Sequence, residues 1–242
     1  MQRPKSYLGT LIAASILAAG VSACSTGVDE ATMPESPEIL WDTWGVPHIF
    51  APDDAGLFYG FGWAQAKSHG DLILRLIGQS RGRGAEYWGE EHLDLDRWVW
   101  TMGIPGRADE WYGLQDDQLR AYLDAFVAGF NDYAAAHADA LDDEMEVVLP
   151  LSGPDVLAHI QRILHFTFVV DPGQIAGVRR GFSEQPGSNT WAIAPARSDS
   201  GNAILVANPH LPWADLFTWY EAQLTGPGVD VYGASLVGTP FL

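Results

Sequence analysis

The spacing of apolar residues changes character once along the chain, and this change most limits the possible folds. Between Leu114 and Ala138, large apolar and aromatic side chains recur every three or four residues, which is typical of an amphipathic helix. Pro154 to Phe168 shows the same spacing. After Gly187, short apolar runs such as Thr190–Ala194 alternate with Gly- and Asp-containing turns, which favours strands. We therefore predict an α+β fold in which helices precede most of the strands.

Several shorter elements follow from local signals. Asp53 and Asp54 are placed to cap a helix that continues through Leu57 and Phe61 to Leu76. Leu216–Leu224 favours a strand, although a short helix fits as well. The remaining predicted strands are Glu38–Trp41, His48–Phe50, Ala203–Ala207 and Asp230–Tyr232.

Composition and turn residues divide the chain into segments. Of the 242 residues, 47% are hydrophobic, which is enough for a substantial packed core. Asp171–Gly187 contains several glycines, two prolines and paired arginines, so we predict an exposed loop there. The predicted segments are a signal peptide (1–23), a tether (24–37), a helical region (38–172), a loop or excised spacer (173–187) and a strand-rich region (188–242).

The N-terminus predicts export. A basic start is followed by an apolar, small-residue stretch from Leu8 to Val21, too short for a comfortable membrane span. It ends in Val21-Ser-Ala-Cys24, which resembles a bacterial lipobox, and Ser25 is typical of outer-membrane lipoproteins. Since Cys24 is the single cysteine of the chain, lipidation explains it better than a free exported thiol. An ordinary secretory signal that happens to contain a cysteine is the alternative.

Charge and cysteine content exclude several classes of protein. The formal net charge of −18 rules out nucleic acid as a partner. One cysteine rules out a disulfide scaffold. With a lipid anchor at Cys24, we expect the protein to contact a membrane only through that anchor.

Ser188 stands at a turn that leads directly into a predicted buried strand. Serine needs a base within hydrogen-bond reach to become a nucleophile. If the bond between Gly187 and Ser188 were cut, the freed α-amine, with an ordinary pKa of about 8, would lie beside the hydroxyl and could accept its proton. Glycine ahead of the cut tolerates strained backbone, and the strand behind it provides a rigid support. Gly-Ser-Asn is also an everyday turn, so spacing alone does not decide between these interpretations.

Three ordered motifs resemble the penicillin acylase family of N-terminal-nucleophile amidohydrolases. GSNTWAIAPARSDSGNAILVANPHLPW, from Gly187 to Trp213, looks like the start of that family's β subunit. WDTWGVPHIFAPDDAGLFYGFGWAQA, from Trp41 to Ala66, looks like the opening of its α subunit, and Gly82–Gly89 matches its Gly-Arg-x-x-Glu-x-x-Gly segment. The resemblance is to the branch of aculeacin and acyl-homoserine-lactone acylases. It implies an αββα sandwich, of which this chain holds a mainly helical α part and the first β-subunit strands.

The resemblance also implies roles for individual residues. Ser188 matches the nucleophile and self-processing residue, with Gly187 ahead of the cut. His210 matches a position that helps to orient the serine and the oxyanion site; a turn histidine satisfied by backbone is the alternative. Leu211 and Trp213 fall where side chains of the acyl pocket are found, or else in ordinary core. Asn189 is expected to support the start of the strand rather than the chemistry.

Other polar residues are expected to be structural. His48 beside Asp42 could serve as a second base, but it belongs to a turn that looks structural in the family, so we expect a structural role. Three further predictions concern charged residues: Arg81, Arg83 and Glu86 form one ion-pair network, Asp94 and Asp96 lie in a solvated turn, and none of them binds metal. No organic cofactor is expected. The structural calcium of some relatives is not supported by an acidic cluster in this segment.

The sequence also departs from the family pattern. Lys67-Ser-His-Gly-Asp-Leu72 replaces the usual Asp-Arg-Leu, which leaves the substrate class open. The end at Leu242 is apolar and uncapped, so we expect a truncated fragment whose oxyanion-hole residues lie further on. Because losing one oxyanion donor costs roughly 10²–10³ in rate, this fragment alone is expected to be inactive. The predicted precursor is an exported zymogen, periplasmic or anchored to the outer membrane, whose α and β chains together cleave the amide bond of a small N-acyl substrate. That substrate is a β-lactam side chain, an N-acyl-homoserine lactone or a related acyl amide. A non-catalytic surface lipoprotein that uses the same scaffold for binding is the alternative.

Overall fold

The computed structural model describes residues 33–169, 187–212 and 215–241. The predicted signal peptide, most of the tether and almost all of the predicted loop before Ser188 lie outside these residues. In the described part the α+β class is confirmed: six α-helices lie between two N-terminal strands and four later ones. No helix in this part is long and apolar enough to cross a membrane.

The first two strands lie where we predicted them, and they form a hairpin. They are β1 (Glu38–Trp41) and β2 (Pro47–Phe50), paired antiparallel. In the turn between them, Asp42 Oδ1 accepts hydrogen bonds from the backbone nitrogens of Trp44 and Val46 at 2.8 and 2.9 Å. Gly45 has a φ of +82°, a conformation that favours glycine. The turn residues therefore determine where the chain reverses.

The helices are α1 (Asp54–Ser80), α2 (Gly84–Trp88), α3 (Leu93–Thr101), α4 (Ile104–Leu114), α5 (Asp117–Ala136) and α6 (Gly153–Leu164). Asp53 caps α1 as predicted, since its carboxylate accepts a hydrogen bond from the Gly56 nitrogen at 2.7 Å. Two predicted helices are confirmed with shifted ends, because α5 is shorter than 114–138 and α6 gives way to a π-helical turn, His165–Val169.

Helices α1 and α5 cross at two glycines. A Cβ atom added at Gly62 would lie 1.9 Å from the carbonyl oxygen of Phe126, and one added at Gly129 would lie 1.9 Å from that of Tyr59. The helix backbones are therefore in direct contact at this crossing. Next to it, the rings of Phe61 and Phe126 meet edge to face, with 6.1 Å between their centroids. This crossing forms the centre of the hydrophobic core.

The later strands are β3 (Gly187–Ile193), β4 (Ile204–His210), β5 (Trp219–Gly226) and β6 (Val229–Leu236). The predicted strand over 216–224 is confirmed in β5, and a short 3₁₀ turn, Asp215–Phe217, precedes it. One sheet has the order β1-β2-β5-β6, and a second consists of β3 and β4 alone. In the larger sheet β2 and β5 run parallel, with Ile49 opposite Leu224. The strands on either side of residues 187–210 thus join one sheet.

Buried hydrogen bonds also connect the last described segment to the helices. Gln65 is fully buried in α1; its side chain accepts a hydrogen bond from the Gly238 nitrogen at 2.8 Å and donates one to the Thr239 carbonyl at 3.0 Å. The Tyr220 hydroxyl donates to the Ala64 carbonyl at 3.0 Å, and burial raises the pKa of Tyr220 to about 12. Residues 215–241 are therefore part of the core that the helices build.

Candidate active site

The β3–β4 hairpin carries the predicted nucleophile. Ser188 is the second residue of β3 and lies opposite Pro209, while Gly187 lies opposite His210. Proline has no backbone N–H, so Pro209 cannot donate a hydrogen bond to the carbonyl of Ser188. Gly187 and Ser188 are exposed, so the peptide bond between them is accessible. The hairpin thus presents the predicted scissile bond at its open end.

The prediction that Thr190–Ala194 is a buried strand is wrong in one respect. A strand is present, but its side chains are exposed, with Trp191 54% and Leu205 on the neighbouring strand 73% accessible. Among the described residues, β3 and β4 pair only with each other in a two-stranded sheet, so neither face is covered. An apolar run indicates that its side chains are suited to burial, but it does not identify the segment that would cover them.

The hairpin register separates Ser188 from His210. Side chains alternate between the two faces of a strand, and residues directly opposite each other share a face. Asn189, Asn208 and His210 therefore lie on one face, whereas Ser188 and Leu205 lie on the other. The structure brings Ser188 and His210 to the same end of the hairpin without placing the imidazole beside the hydroxyl. Within the described residues, Ser188 Oγ makes no side-chain hydrogen bond.

His210 is held by two asparagines instead. Its Nε2 atom lies 3.1 Å from Asn189 Nδ2 and 3.2 Å from Asn208 Nδ2. Asn189 is the neighbour of the predicted nucleophile, so one of these contacts connects His210 to the start of β3. We predicted a supporting role for Asn189 and did not single out Asn208. The signal was available, because residues two apart in a strand share a face.

For the remaining predicted site residues, the structure gives a position only for Leu211. Leu211 directly follows β4 and is partly buried. Trp213, the second residue of the predicted acyl pocket, lies outside the described residues, as does the predicted lipidation site Cys24. The pocket therefore stays a prediction. No group of three or more potential metal ligands occurs in the described part of the chain.

His48 and Asp42 meet in the N-terminal hairpin. His48 Nε2 lies 3.8 Å from Asp42 Oδ2. The pKa of Asp42 is lowered chiefly by the hydrogen bond from the Val46 nitrogen, with smaller contributions from Trp44 and His48. Since His48 also occupies a strand paired with β5, its position agrees with the structural role that we expected.

Two predictions about charged residues need correction. Arg81 does not join Arg83 and Glu86 in one network; it forms a bidentate pair with Asp155, while Arg83 pairs with Glu86 on the surface. Asp155 is distant in sequence, which is why a local pattern could not reveal it.

Asp96 does not lie in a solvated turn. It belongs to the first turn of α3, is 6% exposed, and accepts hydrogen bonds from the backbone nitrogens of Gly84 and Ala85 at 2.9 and 2.7 Å. These nitrogens begin α2 and have no partner within that helix, so a carboxylate stabilises them.

Ser188 therefore stands at the start of an exposed hairpin, directly after an accessible glycine, on an α+β fold. The chain belongs to the penicillin amidase family, whose model matches residues 36–242.

Known relatives share about three residues in ten with it. It is 29% identical to the acyl-homoserine lactone acylase PvdQ of Pseudomonas putida, over 93% of this chain and 34% of that protein. It is 27% identical to the aculeacin-A acylase of Actinoplanes utahensis, over 83% of this chain and 31% of that protein. The chain thus spans about a third of the length of these relatives.

Among solved structures, a thermostable penicillin G acylase from Alcaligenes faecalis matches with 22% identity and a TM-score of 0.49. The match covers 56% of this chain and 75% of that structure.

Proposed function

We propose that this chain is the nucleophile-bearing part of an amidohydrolase precursor that cuts itself between Gly187 and Ser188. The observation that carries the proposal is the position of Ser188, exposed at the start of a strand in a chain whose family match extends across it. The segments that precede and follow the hairpin in the chain together build the α+β core.

The processing step follows from the groups at the bond. Ser188 Oγ attacks the carbonyl carbon of Gly187, and the carbon–nitrogen bond breaks as the nitrogen takes up a proton. The product is an ester between Gly187 and the serine oxygen, which water hydrolyses to a free carboxylate. Gly187 has no side chain to obstruct this attack. The reaction leaves Ser188 as the first residue of a new chain with a free α-amine.

Turnover uses the same hydroxyl with a new proton acceptor. The α-amine has an ordinary pKa of about 8, so roughly a fifth of it is neutral near physiological pH, and this neutral form can accept the Oγ proton. The oxygen attacks the amide carbonyl of the substrate, the leaving amine receives the proton, and an acyl-enzyme forms. Water then releases the acid and restores the serine. No group beyond the serine residue is required for proton transfer.

The substrate class is an N-acylated amine. The relatives named above are acylases for acyl-homoserine lactones and for aculeacin A. We propose that the protein hydrolyses one of these kinds of acyl amide. The segment Lys67–Leu72 departs from the family pattern, which indicates a divergent branch.

Mass spectrometry of the precursor that contains this chain tests the proposal. We expect a second polypeptide that begins at Ser188, no cleavage in a Ser188→Ala variant, and retained cleavage in the matched Ser188→Cys variant, which keeps a nucleophile. Hydrolysis of acyl-homoserine lactones should fall by at least roughly 10⁴-fold in Ser188→Ala. An intact wild-type chain that binds acyl compounds without hydrolysing them would instead support the binding lipoprotein.

We also propose that Cys24 anchors the exported protein to a membrane. The lipobox-like Val21-Ser-Ala-Cys24 supports this. A Cys24→Ala variant should lose incorporation of labelled fatty acid and appear in the soluble fraction. A wild-type protein whose mature N-terminus lies elsewhere would contradict the anchor.

A further inference from the structure

Asp215 connects the segment after the β3–β4 hairpin to helix α1. Its Oδ1 atom accepts a hydrogen bond from Arg75 Nη2 at 2.8 Å, and both side chains are exposed. Arg75 belongs to α1, before the proposed cut, whereas Asp215 follows Ser188. This ion pair therefore joins the two parts of the chain that cleavage would separate.

A second arginine, on α6, is influenced by the same carboxylate. Arg162 is 5% exposed, and its Nη2 donates a hydrogen bond to Gln79 Oε1 at 2.8 Å. Burial lowers the pKa of Arg162 to about 10, and the negative charge of Asp215 opposes this shift. A buried cation is costly unless an opposite charge compensates it. One carboxylate thus balances two guanidinium groups, of which one is exposed and one is buried.

The backbone around Asp215 starts a turn that the core holds at its other end. Asp215 has a φ of +52°, a conformation that aspartate tolerates better than most residues. Its carbonyl oxygen accepts a hydrogen bond from the Thr218 nitrogen at 3.1 Å, and the Thr218 carbonyl accepts one from the Val237 nitrogen at 3.0 Å. Leu216 packs against the hydrophobic core. The charge of Asp215 therefore acts at the start of a turn whose end is already fixed.

This turn belongs to the connection between β4 and β5, residues 211–218. The connection begins with Leu211, which the resemblance places in the acyl pocket. Asp215 follows four positions later, and four residues span at most about 14 Å. The contacts that fix Asp215 against α1 and α6 therefore limit where Leu211 can lie relative to the helices.

We propose that Asp215, Arg75 and Arg162 form an anchor that positions the β4–β5 connection against the helices and thereby determines which acyl chains the site accepts. The proposal rests on the proposed function for this catalytic consequence. The three residues act through the connection rather than on the substrate, so they are positioning residues. After cleavage, the anchor joins the chain that begins at Ser188 to the N-terminal chain.

Hydrogen exchange in the full-length precursor tests the anchor without any catalysis. Asp215→Asn removes the charge but keeps a side chain that tolerates the left-handed backbone. We expect the amides of residues 215–218 to exchange about tenfold faster than in the wild type, and about threefold faster in Arg75→Met, which leaves Arg162 in place. Arg97→Met is the control, since it removes an exposed pair with Asp94 inside α3 and should leave this exchange unchanged.

Kinetics on N-acyl-homoserine lactones with acyl chains of different length test the effect on selectivity. We expect Asp215→Asn to reduce the ratio of kcat/KM between the preferred chain length and the others by about fivefold or more, chiefly through KM. Arg75→Lys keeps the positive charge and should preserve the ratio within about twofold, whereas Arg75→Met should reduce it.

The two measurements have distinct outcomes. Unchanged exchange of residues 215–218 in Asp215→Asn overturns the anchor, whether or not the precursor is active. Faster exchange with an unchanged ratio of kcat/KM overturns its role in selectivity. Faster exchange in a protein whose wild type neither cuts itself nor hydrolyses these substrates supports the anchor and overturns the proposed function.

Discussion

In the core, Phe61, Phe126 and Phe130 are at most 1% exposed, whereas in the β3–β4 hairpin Trp191 is 54% and Leu205 73% exposed. Burial of large apolar side chains is the main stabilising contribution in folding, so the described chain concentrates its stability away from the region that carries Ser188. The comparison shows that the residues that stabilise the fold and the residue proposed as the nucleophile belong to different segments.

The separation between the hairpin and the core also determines how cleavage before Ser188 would affect the fold. A cut before Ser188 frees the hairpin end, but the same new chain continues into β5 and β6, which belong to the core sheet. Parallel pairing of β2 with β5 and the hydrogen bonds from Gln65 to Gly238 and Thr239 would still connect the two chains. The core should therefore withstand processing, and substitutions should separate its stability from the chemistry of the hairpin.

The largest effect is expected at the crossing of α1 and α5. Gly62→Ala places a methyl group where the carbonyl oxygen of Phe126 lies 1.9 Å away, and backbone atoms cannot move aside cheaply. We expect a loss of roughly 4 kcal/mol or more in the free energy of unfolding, or no folded protein at all. Urea unfolding followed by tryptophan fluorescence measures this loss.

Gly106→Ala in α4 is the matched control. A Cβ atom there meets nothing within 4 Å, and alanine is the better helix former. This variant should be unchanged or up to about 1 kcal/mol more stable. Similar losses in both variants would contradict the close contact of the two helices.

The next largest effect is expected at the buried ion pair. Arg81 and Asp155 are 19% and 10% exposed and form two parallel hydrogen bonds at 2.7 and 2.8 Å. Arg81→Met leaves a carboxylate without its counter-charge, which should cost about 3–5 kcal/mol. Arg97→Met, which breaks the exposed pair with Asp94, should cost less than about 1 kcal/mol. Equal losses in the two variants would show that the Arg81 pair is not shielded from water.

A smaller, pH-dependent effect is expected at His159. The residue is fully buried, its Nε2 lies 2.9 Å from the Val237 carbonyl, and burial lowers its pKa from 6.5 to about 4. The unfolded chain therefore binds a proton more readily than the folded one, so this contribution to stability is present above pH 6.5 and is lost as the pH falls toward 4. Between pH 7 and pH 5 we expect a loss of about 2 kcal/mol from this group.

His159→Gln isolates that contribution. The amide can still donate to Val237 but does not titrate, so the variant should lose less stability than the wild type between pH 7 and pH 5. Unfolding in urea at both pH values measures the difference, and the titration of other groups cancels in the comparison. Parallel pH profiles would mean that His159 is accessible to protons in the folded state.

Local features of the fold were predictable, because their determinants lie within a few residues. Asp53 caps α1 through a nitrogen three positions away, and α5 follows from its apolar spacing. The turn after β1 is determined by Asp42 and Gly45. In the site, the position of Ser188 at the start of a strand was predictable for the same reason.

Features that depend on distant residues were not predictable from a single sequence. Arg81 and Asp155 are 74 positions apart, and no pattern near Arg81 identifies its partner. Asp96 is buried because it packs against the start of α2. The polar residues that surround it in the sequence give no indication of this contact. In the site, His210 was assigned by resemblance, but its contacts with two asparagines emerge only from the hairpin register. The expected burial of β3 failed for a related reason, since it depends on what covers the strand.

The smallest effect is expected on the exposed hairpin, and it tests that last point. Leu205 is 73% exposed, so Leu205→Ala should change the free energy of unfolding by no more than about 0.5 kcal/mol. Leu123→Ala, the same substitution at a fully buried position of α5, should cost about 2–5 kcal/mol. Leu205 lies on the same face of the hairpin as Ser188. If Leu205→Ala in the full-length precursor costs as much as Leu123→Ala, another layer packs against that face and encloses the serine, and the site is more enclosed than this segment alone makes it.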